Sequence, residues 1–275
     1  MVMNIKRKLM WLLLSVLLVT QLYPLLWLLL YSLKTNEEIL TGGILRLPKV
    51  FQWSNYHDAI FSGNYLQYLT NSIFITGVTL VCTLALGSMA SYAIARFDWK
   101  WGNAMLLLFI IGMMIPLQST LLPLVVVFKK LHILDSYISL LLPYIAFALP
   151  IAVFILATFF KSIPREMEES ASIDGASVNR TFFSIILPLT VPPLTTVTIL
   201  TFIPTWNEYI MAATFISTDS LKTLPFGVYS FVGKYTTNFG AIGAYLVLAS
   251  LPVILVYFLL SEKIAKGMVA GAVKG

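Results

Sequence analysis

No charged side chain interrupts SYISLLLPYIAFALPIAVFILATFF, the 25 residues from Ser136 to Phe160. A helix needs ~20 apolar residues to cross the ~30 Å hydrocarbon core of a bilayer, so this stretch is long enough to span it. Outward from this stretch, further charge-free runs occupy residues 9–33, 59–95, 101–128, 181–207 and 235–261. Together the runs predict six transmembrane segments.

These segments are predicted to be helices. In lipid the backbone must satisfy its own hydrogen bonds, and each run is too long for a barrel strand. The sequence therefore predicts an all-α membrane protein, folded as one domain over residues 1–275. The approximate helix cores are 9–31, 69–94, 104–128, 138–160, 187–209 and 242–261. The first run is interpreted as a retained helix, because a signal peptide has an apolar core of only about 7–15 residues.

The composition excludes several other classes of protein. Hydrophobic residues make up 59% of the chain and charged residues 11%, less than half the ~25% typical of soluble domains. Such a composition is too apolar for a disordered chain. One cysteine, Cys82, excludes a disulfide scaffold, and with two histidines the chain cannot build a thiolate or imidazole metal cluster. No metal site and no nucleic-acid partner are expected.

The distribution of basic residues predicts the orientation in the membrane. If the N-terminus is cytoplasmic, the inner segments are 1–8, 95–103, 161–180 and 262–275, and they hold 11 of the 18 Lys and Arg residues. Cytoplasmic loops carry an excess of basic residues. We therefore expect a multi-pass protein of the cell membrane with both termini in the cytoplasm, and the net charge of +6 agrees with this class.

The predicted cytoplasmic loop at residues 161–188 differs from the other loops. It holds four of the twelve acidic residues. Pro164 and the acids that follow it are typical of a helix start. A second short helix is predicted from Ser177 to Leu187, ending before Pro188. Small residues and carboxylates could dock this loop on a partner protein, whereas the alternative interpretation is a solvated connector.

The same loop resembles the EAA loop of ABC importer permeases. It contains Glu169-Ser170-Ala171, Gly175 four residues later, and then Ile185-x-Leu187-Pro188, with Ser170 in place of the usual first alanine. The chain is similar over nearly its whole length to the shorter membrane subunit of maltose-type sugar importers. The further matching segments are Ser32–Thr35, Ser91–Arg96, Trp206–Glu208, Thr223–Pro225 and the tail Gly267–Gly275.

The resemblance implies a machine with several subunits. This chain would pair with a second, related permease, and the two would work with an ATPase dimer and an extracytoplasmic sugar-binding protein. ATP and Mg²⁺ would be held by the ATPase, so we expect no cofactor and no enzymatic activity on this chain. No Gly-x-x-x-x-Gly-Lys-Ser/Thr motif is present to bind phosphate.

The resemblance also implies roles for residues of the EAA loop. Glu169 would pair with a basic residue of the ATPase, Ser170 and Ala171 would seat the coupling helix, and Gly175 would turn the chain. The implied ATPase-coupling set is Glu169, Ser170, Ala171, Asp174, Gly175, Ile185, Leu187 and Pro188.

The sugar path is less clearly marked. Its candidates are Gln118, Trp206, Asn207 and Glu208, because aromatic faces stack on sugar rings and polar groups bind hydroxyls. Packing, or a place in the interfacial aromatic belt, is the alternative for the Trp206 segment. An ABC permease for another solute and an ion-coupled transporter remain alternative functions. The latter usually places ionisable residues within its spans.

Overall fold

The protein is mostly α-helical in the part of the chain that its structure describes. A computed structural model describes residues 2–43, 46–233 and 236–272, with side chains from residue 7 to residue 260. The tail segment Gly267–Gly275 therefore lies outside the described side chains. The α-helices are α1 (Val2–Ser32), α2 (Asn36–Thr41), α3 (Ser54–Phe61), α4 (Tyr65–Arg96), α5 (Gly102–Gly112), α6 (Leu117–Lys130), α7 (Tyr137–Ser162), α8 (Glu166–Ile173), α9 (Val178–Thr181), α10 (Leu187–Leu189), α11 (Val191–Trp206), α12 (Ile210–Phe215) and α13 (Phe239–Ala272).

Shorter elements complete the described chain. A π-helical turn occupies Phe182–Ile186, and 3₁₀ turns occupy Asp219–Leu221 and Leu224–Phe231. Strand-like pairing among the described residues is limited to one bridge between Val232 and Thr237.

Among the described residues, four helices are long and apolar enough to cross a membrane. They are Arg7–Ser32, Tyr65–Arg96, Tyr137–Ser162 and Phe239–Leu260. These helices contain the predicted cores 9–31, 69–94 and 138–160 and nearly all of 242–261. The apolar composition thus gives uninterrupted helices for these four predicted segments.

The predicted cores 104–128 and 187–209 are not single straight helices. The helices Gly102–Gly112 and Leu117–Lys130 meet at 97°, and Val178–Leu189 meets Val191–Trp206 at 76°. Pro116 lies at the first break and has an extended backbone. Proline cannot donate a helical hydrogen bond and disfavours helical geometry at the residue before it, which favours an interruption of the helix here. The spans number six only if each bent pair is one span, so that number stays a prediction.

The structure divides into two compact units. One comprises residues 1–68 with 225–252, and the other comprises residues 69–224 with 253–275. The prediction of one domain over 1–275 stays a prediction.

Asn55 fastens the chain where α1 ends in the first unit. Its buried amide nitrogen donates to the carbonyl oxygens of Ser32 and Lys34, at 2.9 Å each. Gly240 lies against the same group: a Cβ there would stand 2.4 Å from Asn55 Nδ2 and 2.7 Å from the Lys34 carbonyl oxygen. Residue 240 is therefore restricted to glycine by the close approach of backbone.

In the second unit the core forms along α7. Ala152, Val153, Leu156, Ala157 and Phe160 are fully buried there. Helix α7 packs against α5 and α11. Small residues of α4 allow a close approach as well, because a Cβ at Gly87 would come within 3.1 Å of the Ala152 side chain. Small residues at such contacts are typical of helix packing in lipid.

A turn before α7 is fixed by Asp135. Its carboxylate accepts hydrogen bonds from the Thr218 hydroxyl at 2.6 Å, the Thr218 amide at 2.9 Å and the Ser217 amide at 2.8 Å. These donors, led by the Thr218 hydroxyl, lower the pKa of Asp135. The charged form is therefore favoured at neutral pH, and it ties the segment after α12 to the turn before α7.

We expect Gly240→Ala to destabilise the protein while Gly77→Ala does not. The new methyl group at position 240 meets backbone, and such overpacking costs about 1–3 kcal/mol. At Gly77 no atom lies within 4 Å of the position that a Cβ would take, so alanine fits without a clash. Melting temperatures of both variants in one detergent check this. Equal values for the two would contradict the packing described around Asn55.

Candidate functional site

The helix α8 has a well-defined beginning and end. Three acids, Glu166, Glu168 and Glu169, lie in its first turn, where the helix dipole favours negative charge. At its other end the Ala176 amide donates to the Ala171 carbonyl, and the Gly175 amide donates to that of Ser172. This is a Schellman motif, and it requires the left-handed backbone that Gly175 adopts with φ +76°. Gly175 therefore turns the chain.

The second half of the loop differs from the predicted helix over Ser177–Leu187. Ser177 caps α9, and the π turn follows. The prediction that the helix ends before Pro188 is wrong, because α10 includes Pro188 and the bend follows at Thr190. A proline ring clashes with the carbonyl four residues earlier in an α-helix. Here the π turn, with the Leu187 amide donating to the Phe182 carbonyl, widens the helix just before the proline.

An ion pair joins α8 to the end of α4. Arg96 Nε lies 3.4 Å from Glu168 Oε2, and Arg96 Nη2 donates to the Ile163 carbonyl oxygen at 2.7 Å. The Arg96 side chain is 4% exposed and that of Glu168 is 19% exposed. Arg96 thus holds both the start of the loop and its first helix. Neither residue is among the site residues predicted from the sequence. The sequence feature that could have pointed to Arg96 is its position as the first charged residue after the charge-free run 59–95.

Aromatic packing holds the other half of the loop. The ring of Tyr92 lies 4.8 Å from that of Phe182 and 5.8 Å from that of Phe160. These rings belong to one buried cluster with Ile163 and Ile186, and Ile185 and Leu187 pack against it. The inner face of the loop is therefore bound to the ends of α4 and α7.

The outer face of the loop is exposed and mixed in character. Glu169, Ser170, Asp174 and Gly175 are exposed, whereas Ala171 is buried. Large apolar side chains stand beside the acids: Ile173 is 87% exposed, and Val178 and Phe183 are also exposed. Pro188 is exposed as well. Exposed apolar groups bordered by polar ones are typical of protein-docking surfaces. The candidate docking face comprises Glu169, Ser170, Ile173, Asp174, Val178 and Phe183.

The residues predicted for a sugar path occupy a different part of the second unit. Trp206 is 4% exposed and its ring stacks on that of Phe202, with 5.5 Å between centroids. Asn207 is exposed, and its amide donates to the Ile203 carbonyl at 2.9 Å. Gln118 is exposed near the start of α6.

The carboxylate of Glu208 is hydrogen-bonded within the fold. It accepts hydrogen bonds from the amides of Met211 and Ala212, at 2.7 and 3.1 Å, and from the Tyr144 hydroxyl. An acid at the start of α12 also suits the helix dipole. Trp206 and Glu208 thus have partners within the fold, whereas Asn207 and Gln118 remain exposed. A role of the four residues in a sugar path stays a prediction.

Comparison with known proteins assigns the chain to a family. Residues 83–269 match the inner membrane component of binding-protein-dependent transport systems. The chain belongs to this family. It is therefore a multi-pass protein of the inner membrane, and the resemblance to ABC importer permeases is confirmed.

Individual permeases match along most of the chain. A putative ABC transporter permease of Caldicellulosiruptor is 38% identical over 252 residues, which are 92% of this chain and 91% of that protein. The sulfoquinovosyl glycerol transport system permease of Agrobacterium fabrum is 33% identical, with 95% and 92% covered. The trehalose transport system permease of Mycobacterium tuberculosis is 33% identical, with 92% and 93% covered.

A solved structure has the same fold. In the crystal structure of a bacterial ABC transporter involved in the import of the acidic polysaccharide alginate, one chain superposes with a TM-score of 0.81. The match covers 94% of this permease and 96% of that chain, at 21% identity. The all-α fold expected from the charge-free runs and the permease fold implied by the resemblance are thereby confirmed.

We expect Arg96→Glu to free the loop and the double variant Arg96→Glu, Glu168→Arg to restore it. A reversed charge at residue 96 faces Glu168 with like charge in a largely buried place. Trypsin cleavage after the exposed Arg165 and Arg180 should then be about ten-fold faster, because cleavage follows local opening.

Glu166→Gln is the matched control for this experiment. Glu166 is an exposed acid in the same turn as Glu168. Mass spectrometry separates cleavage after Arg165 and Arg180 from cleavage at the arginine introduced at position 168. If Glu166→Gln accelerated cleavage after Arg165 and Arg180 as much as Arg96→Glu, or if the double variant were cleaved there faster than the single one, the ion pair would not be what holds the loop.

Proposed function

We propose that this permease is a membrane subunit of an ATP-driven sugar importer and that its docking face binds an ATPase subunit. The observation that carries the proposal is the two-sided loop. Its inner face is held by Arg96 and the aromatic cluster, and its outer face presents acids beside exposed apolar groups. A loop built in this way can pass a displacement of a bound partner directly to α4 and α7.

The coupling residues predicted from the sequence have distinct roles in this mechanism. Glu169 offers a carboxylate to a basic residue of the ATPase, since charge-assisted hydrogen bonds are the strong ones. Ser170 and Ala171 keep α8 slender enough to lie in a cleft. Gly175 fixes the angle at which the chain leaves α8, and Asp174 stands beside it as a second acid. Ile185, Leu187 and Pro188 connect the loop to the bend before α11.

ATP hydrolysis in systems of this family belongs to separate ATPase subunits, so this chain is not an enzyme. In the proposed assembly the ATPase dimer holds ATP and Mg²⁺. An extracytoplasmic binding protein delivers the sugar, and this permease pairs with a second, related permease. No residue in the most apolar part of α1 is buried. This exposed apolar surface is consistent with contact to lipid or to that second permease.

Sugar as the substrate class rests on the relatives and on the resemblance of Trp206–Glu208 and of the tail Gly267–Gly275 to sugar-importer permeases. The Agrobacterium and Mycobacterium permeases are named for sulfoquinovosyl glycerol and trehalose transport. The proposed topology has six spans, with each bent pair counted as one, and both termini in the cytoplasm. Asn207 and Gln118 are the better placed candidates for the sugar path, because their side chains are exposed.

We expect Glu169→Lys to abolish coupling without preventing insertion into the membrane. Reversal removes a charge-assisted contact worth about 1.5–3 kcal/mol and adds repulsion, so sugar uptake should fall at least roughly ten-fold. The measurement is uptake across a panel of labelled sugars, at equal expression with the partner subunits. Co-purification of the ATPase in mild detergent is measured in parallel.

Glu37→Lys provides the control, because Glu37 is an exposed acid in the first turn of α2, far from the loop in sequence. It should leave uptake and ATPase co-purification unchanged. If Glu169→Lys took up sugar as fast as the wild type at equal expression, the proposal for the docking face would be contradicted. Purification of the wild-type chain without an ATPase, under conditions that preserve known complexes, would contradict the importer itself.

A further inference from the structure

A cavity lies beside the end of the first span. Its volume is about 410 Å³, and it is lined by Lys34, Glu38, Thr41, Gly42, Arg46, Leu47 and Lys49. Three of these side chains are cationic and one is anionic. The cavity belongs to the first unit and lies only a few residues from Ser32, where α1 ends.

Lys34 is a largely buried cation in the lining of the cavity. The residue is 5% exposed, yet no hydrogen bond to its ammonium group occurs within the described part of the chain. Its side chain acts on Glu38 only as a nearby charge. Burying an ammonium group is unfavourable unless an anion compensates it. Glu38 is therefore the anion near this largely buried cation, and no ion pair joins the two within the described residues.

Glu38 is already engaged by backbone groups. Its Oε1 atom accepts from the Lys49 amide at 2.9 Å, and its Oε2 atom accepts from the Thr35 amide at 3.3 Å, which completes a capping box for α2. The amide of Lys49 is the main cause that lowers the pKa of Glu38. The lining thus contains three cations and one carboxylate, and that carboxylate is already hydrogen-bonded to backbone amides. The lining therefore has an excess of positive charge.

The surroundings of the cavity indicate a lipid surface. Next to the cations, large apolar side chains point outward and are more than half exposed: Leu40, Leu47, Val50, Phe51 and Trp53. Tryptophan and basic residues at the end of a span are typical of the membrane–water interface. At such an interface a phospholipid headgroup would offer these cations a phosphate.

We propose that this cavity binds the phosphate headgroup of an anionic phospholipid. Arg46 and Lys49 reach the phosphate oxygens from the rim, Lys34 compensates the charge from within, and the exposed apolar side chains lie among the acyl chains. Arg46 suits phosphate because its guanidinium group can donate two parallel hydrogen bonds. The site is independent of the docking face and of the proposed import function.

Lipid binding by the purified full chain tests the proposal. The chain is titrated in detergent with phosphatidylglycerol and with phosphatidylcholine of the same acyl chains, and bound lipid is counted by native mass spectrometry. Wild type should retain phosphatidylglycerol preferentially. The variant Arg46→Gln, Lys49→Gln should bind it at least roughly ten-fold more weakly, since each basic residue near a surface of anionic lipid contributes about 1 kcal/mol.

A matched control is available at the end of α6, where Lys129 and Lys130 are also adjacent, exposed cations. Lys129→Gln, Lys130→Gln should keep the preference for phosphatidylglycerol. Equal retention by wild type and the cavity variant, or equal loss in both variants, would overturn the proposal. So would saturation of the site by glycerol phosphate or galacturonate at the concentration at which phosphatidylglycerol binds, because the ligand would then be a soluble anion.

Discussion

The absence of water from the bilayer core governs this structure. A peptide group inside hydrocarbon finds no hydrogen-bond partner except another peptide group, so uninterrupted helix is the simplest way to cross. Helices α1, α4, α7 and α13 follow this rule for 26 to 34 residues at a time. Where the rule is relaxed, prolines adjoin the break: Pro116 ends the first, and Pro188 and Pro192 lie on either side of Thr190. Proline alone does not bend the chain, because α7 contains Pro143 and Pro150 and stays one helix.

The same constraint makes the loop at 161–188 exceptional. Acids cannot be accommodated cheaply within the hydrocarbon, so a run containing Glu166, Glu168, Glu169 and Asp174 must lie outside it. One of these acids turns inward and pairs with Arg96, while the others remain outside. The loop is thereby both fastened to the membrane helices and available to another protein. A solvated connector, the alternative raised by the sequence, would need neither the buried pair nor the aromatic cluster.

Composition and spacing predicted a good part of this arrangement. The four straight spans follow from charge-free runs, and the turn at Gly175 follows from a glycine at the end of an acidic helix. The bends did not follow, because hydropathy measures transfer to lipid and carries no information on direction. The ion pair did not follow either, since Arg96 and Glu168 are 72 residues apart and nothing local links them. Glu208 stood out in the sequence as an acid beside a span, but its pairing with Tyr144 depends on the packing of α7.

The π turn at Phe182–Ile186 has a consequence for how such a loop can change over time. A π turn contains one residue more than the α-helical turn it replaces. Removing one residue there would restore α-helical geometry with the flanking segments in nearly the same orientation, whereas removing one residue from α8 would rotate the segment before the deletion by about 100°. The loop can therefore lose one residue at the π turn, whereas the loss of one residue from α8 would turn its exposed face. In this segment, tolerance to deletion depends on which turn is shortened.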